Sequence, residues 1–387
     1  MARGSPTRGH GKGNGQPRLF SDTLRWIYRS VEGNRRDGLL PFLLYVARGN
    51  KVFTILRAVM VLVHVCELIG VLCTQEDLGQ ILRPAVHFCG QFTCFVGMVF
   101  LTYRRQPLGG ALKILLRVTE QLERSPSVKL KILLKESQAI RRIFIWYCNF
   151  GLLDEVSVVL DVILEPDPWF SHQLQRLYPG LPAAFYLPLK CFNATVIIMG
   201  ISALFSTIFL SVVVYRSTGA ILCALGHEFS ECVDMKDARR LARLQSEVIN
   251  ACHLSNRKMT EGIHLSFLTS MFLMSLWSAA NIIRDPETVD SLSLAAMSSV
   301  WFFLLPLCYA GQDQEDGWQC LREEVYAGPW LHEVPTVRRM RQMVVLGTRA
   351  CPSVLLFGSR ALNRHACGAA LSAWFKYVNA LLNITGR

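Results

Sequence analysis

The sequence is short of charge. Asp, Glu, Lys and Arg supply 18% of its 387 residues, against about 25% in ordinary soluble domains. With 51% hydrophobic residues and a mean hydropathy of +0.29, that deficit points to a membrane protein. Acidic residues are the scarcer sign, 29 against 41 Lys and Arg. The thirteen cysteines contain no CxxC and no metal-ligand spacing. An odd, scattered set argues against a disulfide scaffold or a zinc site, and most are expected to be small buried apolar residues. No cofactor is expected. A signal-peptide pattern is missing as well, and the opening "MARGSPTRGHGKGNGQPR" is expected to be a flexible tail. The Ser, His and Asp residues fall on different apolar runs without a nucleophile motif, so an enzyme ranks last among the readings. No inverted repeat or broken mid-membrane helix marks a transporter.

What the chain does have is apolar runs. A spanning helix needs about 20 mostly apolar residues. Six runs meet this, at 52–73, 81–103, 143–164, 192–215, 262–283 and 291–311. A seventh, 361–384, is only half apolar and contains Arg364, His365 and Lys376. Such a segment crosses a bilayer if its polar side faces water or protein. The fold class expected is therefore an all-α membrane protein with seven transmembrane helices.

Lys and Arg set the orientation. Residues 1–51 hold ten, 104–142 ten, 216–261 seven and 312–360 six, so one side carries 33 and the other five. The N-terminus is expected in the cytoplasm and the C-terminus outside. The net charge of +12 is then topology rather than a nucleic-acid footprint, and no nucleic-acid partner is expected. The 33-to-5 bias also opposes a G-protein-coupled receptor, whose N-terminus is outside, and neither Asp-Arg-Tyr nor Asn-Pro-X-X-Tyr follows the expected spans. Two sequons, at Asn193 and Asn383, fall at outer ends close to the membrane.

The inner segments are long and helical in pattern. "LKILLRV" at 112–118 recurs as "LKILLKE" at 130–136, and Leu241, Leu244, Val248, Ile249 and Cys252 form one apolar stripe. These read as cytoplasmic extensions of the spans that pack into an assembly domain. The boundaries expected are a cytoplasmic N-terminal segment at 1–51, helices 1–6 with their extensions at 52–311, a cytoplasmic assembly segment at 312–360, and helix 7 with an extracellular C-terminus at 361–387.

The last 80 or so residues carry an ordered set of small motifs. They are Cys308 and Gly311 at the end of the sixth span, then Tyr326 and Trp330, Pro335 with Arg338 and Arg339, then Arg349, Pro352 and Leu355, and finally Tyr377 in the last helix. In order and spacing this set resembles the insect odorant receptor family. The chain departs from the family pattern at Trp318, where a Ser is usual, and at Lys376. The related gustatory receptors end in a Thr-Tyr…Gln-Phe pattern that "WFKYVNALLNI" lacks; a gustatory channel of the same architecture is the nearest alternative. The inner loop 216–261 is shorter than that of the family's shared co-receptor, which favours a ligand-tuning subunit.

The resemblance implies a heterotetrameric, ligand-gated, non-selective cation channel in the plasma membrane of a sensory neuron dendrite. Its implied partners are the odorant co-receptor, a small volatile odorant, the lipid bilayer and permeant cations. The seventh helix would line the pore, and Tyr326, Trp330, Pro335, Arg338 and Arg349 would stand at the subunit contact. Helical spacing in that last helix puts Lys376, Ala380 and Ile384 four apart, with Tyr377 and Leu381 beside them. A ring of apolar side chains closes a pore by dewetting, so Ala380, Leu381 and Ile384 are the expected gate, with Tyr377, Asn379 and Asn383 lining it. A ligand pocket should be apolar, aromatic and inside the outer half of the bundle. The candidates are Trp146, Tyr147, Phe150 and Asp154 on span three, His87, Gln91 and Phe92 on span two, Met199 on span four, and Phe302 on span six. Asp154, Glu155 and Asp161 must face protein or a wet cavity, since a mid-bilayer carboxylate costs roughly 2.5–3.5 kcal/mol; Arg57 and His64 are candidate partners.

Overall fold

The computed structural model describes residues 19–33, 38–48, 51–73, 78–124, 128–164, 186–259, 263–284, 291–348, 353–356 and 360–384. Nearly all of them are helical, as expected for an all-α chain. In chain order the helices are α1 (Phe20–Glu32), α2 (Leu39–Arg48), α3 (Lys51–Cys73), α4 (Leu78–Tyr103), α5 (Arg105–Leu122), α6 (Val128–Leu164), α7 (Tyr186–Ser230), α8 (Met235–Met259), α9 (Ile263–Arg284), α10 (Ser291–Ser299), α11 (Leu305–Tyr326), α12 (Pro335–Gly347) and α13 (Arg364–Ile384). A π-helical turn, Val300–Leu304, joins α10 to α11, and a short antiparallel ribbon pairs Leu355 with Ala361 and Leu356 with Arg360.

Five of the seven apolar runs fall each on one helix; the sixth runs through α10, the π-turn and the start of α11, and the seventh begins three residues before α13. By length and composition, four stretches among the described residues suffice to cross a membrane: Ala85–Tyr103, Ala194–Ser230, Leu265–Arg284 and Ser293–Tyr326. At 45 residues, α7 is about 68 Å long at 1.5 Å per residue. That is more than twice the roughly 30 Å of a bilayer core, so half of α7 must project beyond it. α6, with 37 residues, is about 56 Å long, so nearly half of it projects too. The helix that carries span six likewise continues past Gly311, unbroken to Tyr326.

The projecting halves pack with α1, α5 and α8 in continuity with the rest of the core. α5 packs on α8, α1 on α5, and α11 along α7. Phe20, Leu24, Ile27 and Val31 of α1, Leu112, Leu115 and Val118 of α5, and Leu241, Leu244, Val248 and Cys252 of α8 all belong to one buried cluster. Gly33, in a left-handed conformation (φ 77°), closes α1. Ion pairs stitch the bundle between helices. Arg216 of α7 takes Glu136 of α6 in a two-pronged grip, at 2.7 and 2.9 Å, and also reaches Asp313 of α11 at 2.6 Å. Lys129 and Glu228, both nearly buried, pair at 2.8 Å. Charge-assisted, two-pronged contacts of this kind are among the stronger polar links available. Burial works against the Arg216 charge; Glu136 and Asp313 outweigh it and hold the guanidinium above its ordinary pKa.

Two glycines decide how closely α7 and α11 approach. A Cβ on Gly219 would overlap the Asp313 carbonyl, and one on Gly317 would fall on the Gly219 backbone. Trp318, beside this crossing, is fully buried.

The cysteines partly depart from expectation. Cys89, Cys94, Cys232, Cys252, Cys308 and Cys367 are buried, whereas Cys66, Cys73 and Cys191 are exposed. Cys223 of α7 and Cys320 of α11 are joined as a disulfide across 97 residues of sequence, with Cα atoms 5.2 Å apart. Such a separation has no spacing signature, which is why the sequence conceals the pair.

Candidate ligand cavity and last helix

The aromatic residues of α6 converge on the π-helical turn. Pro306 lacks the N–H that a regular helix would deliver to the carbonyl of Phe302. The helix widens there, and the Tyr147 hydroxyl donates to that carbonyl at 3.4 Å. Phe150 stacks on Phe302 at 3.5 Å between ring centroids, and Trp146 lies 5.3 Å from Phe302 and 5.8 Å from Phe150. Phe205 of α7 meets Tyr147 and Phe150 at 6.0 and 6.1 Å. Four residues expected at a ligand site, Trp146, Tyr147, Phe150 and Phe302, therefore form one cluster. π-Turns recur at functional sites because they turn side chains out of the regular helical register.

Against this cluster lies a cavity of about 170 Å³ between α2, α6 and α7. Leu40 and Leu43, Phe144 and Tyr147, and Phe205 and Phe209 give it an apolar wall, and Ser202 and Ser206 add hydroxyls. Leu39 and Leu152 stand at its open side and are exposed. It is smaller than the roughly 300–1,000 Å³ of drug-sized sites and suits a small apolar molecule with one or two hydrogen-bonding groups. Phe205, Phe209, Ser202 and Ser206 escaped the sequence reading. Their signal was present: 202, 205, 206 and 209 follow the spacing of one helix face.

The remaining pocket candidates are placed elsewhere. Of all nine candidates, Tyr147 alone lines the cavity. Phe92 of α4 stacks on Phe88 at 6.0 Å, and Gln91 and Met199 are buried. His87 is half-buried on the same helix, away from the cavity wall. The side chains of Asp154, Glu155, Asp161 and His64 lie outside the described ones. Arg57 is 1% exposed and donates to the Val196 carbonyl at 3.1 Å. Gly200 makes room for it, since a Cβ there would collide with the guanidinium.

Helix α13 presents two faces. Cys367, Ala370, Leu371, Trp374 and Val378 pack on the body, and the Trp374 indole donates to Ser275 of α9 at 3.2 Å. Opposite them Ser372, Lys376, Tyr377, Asn379, Ala380 and Asn383 are exposed. Leu381 is half-buried, seven residues from Trp374 on the packed side, so it does not share the face of Ala380. The side chain of Ile384 lies outside the described ones.

In the segment after span six, Tyr326 is 72% exposed, Pro335 is exposed, and Trp330 and Arg338 are half-buried. Arg338 donates to the Trp330 carbonyl at 2.6 Å. Arg349 lies outside the described residues. The organising cation is Arg341, which the sequence reading passed over. It is buried, pairs with Glu333, and donates to the carbonyls of Phe229 at 2.7 Å, Val325 at 3.1 Å and Cys232 at 3.0 Å. Gly328 opens the space it occupies. Around this anchor Tyr326, Leu331, Val334, Met343 and Leu346 leave apolar side chains exposed.

No protein-family model matches the chain, and no curated protein matches it. Solved structures do. The insect olfactory receptor OR5 from Machilis hrabei in complex with eugenol is 12% identical, with a TM-score of 0.68, over 94% of this chain and 99% of that one. A structure of the same receptor described without eugenol gives 10% identity and a TM-score of 0.69 over the same shares. Over 94% of its length this chain has the fold of an insect olfactory receptor.

Proposed function

We propose that the chain is a ligand-tuning subunit of an insect odorant receptor, a ligand-gated cation channel opened by a small volatile molecule. The observation that carries this reading is the whole-length fold likeness to OR5, one structure of which holds eugenol. The aromatic cluster and the small cavity at α6 and α7 support it. In this reading the chain crosses the plasma membrane seven times from a cytoplasmic N-terminus, at the boundaries given by its apolar runs. The odorant sits among Trp146, Tyr147, Phe150 and Phe302 or in the adjoining cavity; with Leu39, Leu40 and Leu43 in the segment 1–51 and Phe144 at the start of span three, these boundaries put that cavity in the inner half of the bundle rather than the outer half expected from sequence.

The exposed polar face of α13, with Lys376, Asn379, Ala380 and Asn383, lines the pore in a heterotetramer with the shared co-receptor. Ile384 joins it at the outer end. The exposed apolar side chains of Tyr326, Leu331 and Met343 form the inner subunit contact. The test is expression with and without the co-receptor, recording current against an odorant panel that includes phenols such as eugenol. Odorant-dependent cation current only in the co-expressing cells is expected. Current without the co-receptor would make the chain a self-sufficient channel, and a purely G-protein-dependent response would end the reading.

A further inference from the structure

Four side chains where α7 and α11 cross have no part in ligand or pore. Cys223 and His227 stand four residues apart on α7, and Cys320 and Glu324 four apart on α11, so each pair shares a helix face. The two sulfurs and a ring nitrogen of His227 all lie within 4.8 Å of one another. The His227 Nδ1 is 3.3 Å from the Glu324 carboxylate. The juxtaposition is built into the packing: a Cβ on Gly226 would meet the Leu321 Cα at 2.9 Å and the Glu324 Cβ at 3.1 Å. All four side chains are half-exposed, so an ion can reach them from water.

We propose that Cys223, His227 and Cys320 form a zinc site, with Glu324 as the carboxylate that orients His227. Two thiolates and an imidazole are the donor set that selects Zn²⁺ among abundant divalent cations. A carboxylate on one ring nitrogen fixes the tautomer and leaves the other to the metal. A fourth position is left for water. The inference rests on the orientation proposed above, which puts this end of α7 in the cytosol. There glutathione keeps thiols reduced. Two glutathione thiols reduce the Cys223–Cys320 bond to two cysteine thiols and leave as glutathione disulfide. Zinc then binds both sulfurs as thiolates, releasing two protons. At about 2.3 Å per Zn–S bond, a tetrahedral ion needs the sulfurs only about 3.8 Å apart, an adjustment small enough for side-chain rotation. The ion would brace α7 to α11 below the membrane.

The test uses the full chain purified under a phosphine reductant, stripped with chelator and titrated with Co²⁺. One Co²⁺ per chain is expected, with a thiolate-to-cobalt charge-transfer band in the near ultraviolet and visible bands of tetrahedral strength, displaced by Zn²⁺. The double variant Cys223→Ser with Cys320→Ser should lose the band. Glu324→Gln, which leaves every metal ligand in place, should weaken binding about 10–100-fold, as expected of an outer-shell carboxylate. Absence of the band in the reduced wild-type chain would overturn the proposal, as would a band that survives the double serine variant. So would recovery of the Cys223–Cys320 disulfide as the main species from cells quenched with a permeant alkylating reagent. Cobalt binding needs neither co-receptor nor odorant, so failure of the channel reading and failure of the metal site are told apart.

Discussion

The hydroxyl of Tyr147 donates to the carbonyl oxygen of Phe302 at 3.4 Å, the one backbone acceptor that Pro306 cannot serve. Span three is thereby tied to the π-turn of span six at the candidate ligand site. Tyr147→Phe removes the tie and keeps the ring, at a net cost of about 0.5–1.5 kcal/mol. In dose–response recordings with the co-receptor, the half-maximal odorant concentration should shift severalfold. Pro306→Ala restores the missing N–H and should shift the response further, by letting the turn tighten and rotating Trp301–Phe303. Equal and negligible effects would detach the turn from ligand sensing.

The cavity is small enough to fill with one side chain. Ser202 and Ser206 are 3% and 4% exposed on its α7 wall. Ser206→Leu should abolish the odorant response while surface expression persists, and Ser206→Ala should only reweight odorants by about tenfold or less, the worth of one ordinary hydrogen bond. A full response in Ser206→Leu would move the ligand elsewhere.

The crossing of α7 and α11 leaves no room for a methyl group. Overpacking costs about 1–3 kcal/mol where side chains can give way and more against backbone. Gly219→Ala and Gly317→Ala should lower the melting temperature in detergent or prevent monodisperse expression. Gly368→Ala is the control, because a Cβ there meets nothing within 4 Å.

Asp313 supplies a pH dependence. Burial pushes its carboxyl above the ordinary value of 3.8, and the neighbouring Arg216 only partly offsets this. The folded chain therefore holds this proton more tightly than the unfolded one. The contribution is fully present below 3.8 and is lost as pH rises through the elevated folded value. Subtracting the melting profile of Asp313→Asn from that of the wild type should isolate a difference that declines with pH in that window; a difference that rises there would reverse the assignment.

Lys376 stands on the exposed face of α13 with Asn379 and Asn383. A cationic ring in a cation pore repels its own permeant ion. Lys376→Gln should raise single-channel cation conductance, and Lys376→Glu should raise it further. Unchanged conductance and selectivity in both would take this face out of the pore.

The all-α class and the apolar character of the long helices were legible in the sequence, because each is a local property of composition and period. So was the stripe at Leu241, Leu244, Val248 and Cys252, which the fold buries as the helical repeat requires. The convergence of Trp146, Tyr147 and Phe150 with Phe302 was half legible. The aromatic face of α6 followed from spacing, whereas its meeting with a residue 152–156 positions away required the π-turn at Pro306. Arg341 was hidden among Arg338 and Arg339, because burial depends on which turn of α12 faces α7 and α11, and charge patterning carries no such information. Cys223, His227, Cys320 and Glu324 illustrate the limit most directly. Each pair has helical spacing, but only the glycine-lined crossing of two long helices brings the pairs together. Local sequence determined what each helix is; contacts between residues far apart in the chain decided which faces meet, and those contacts exist only once the helices have packed.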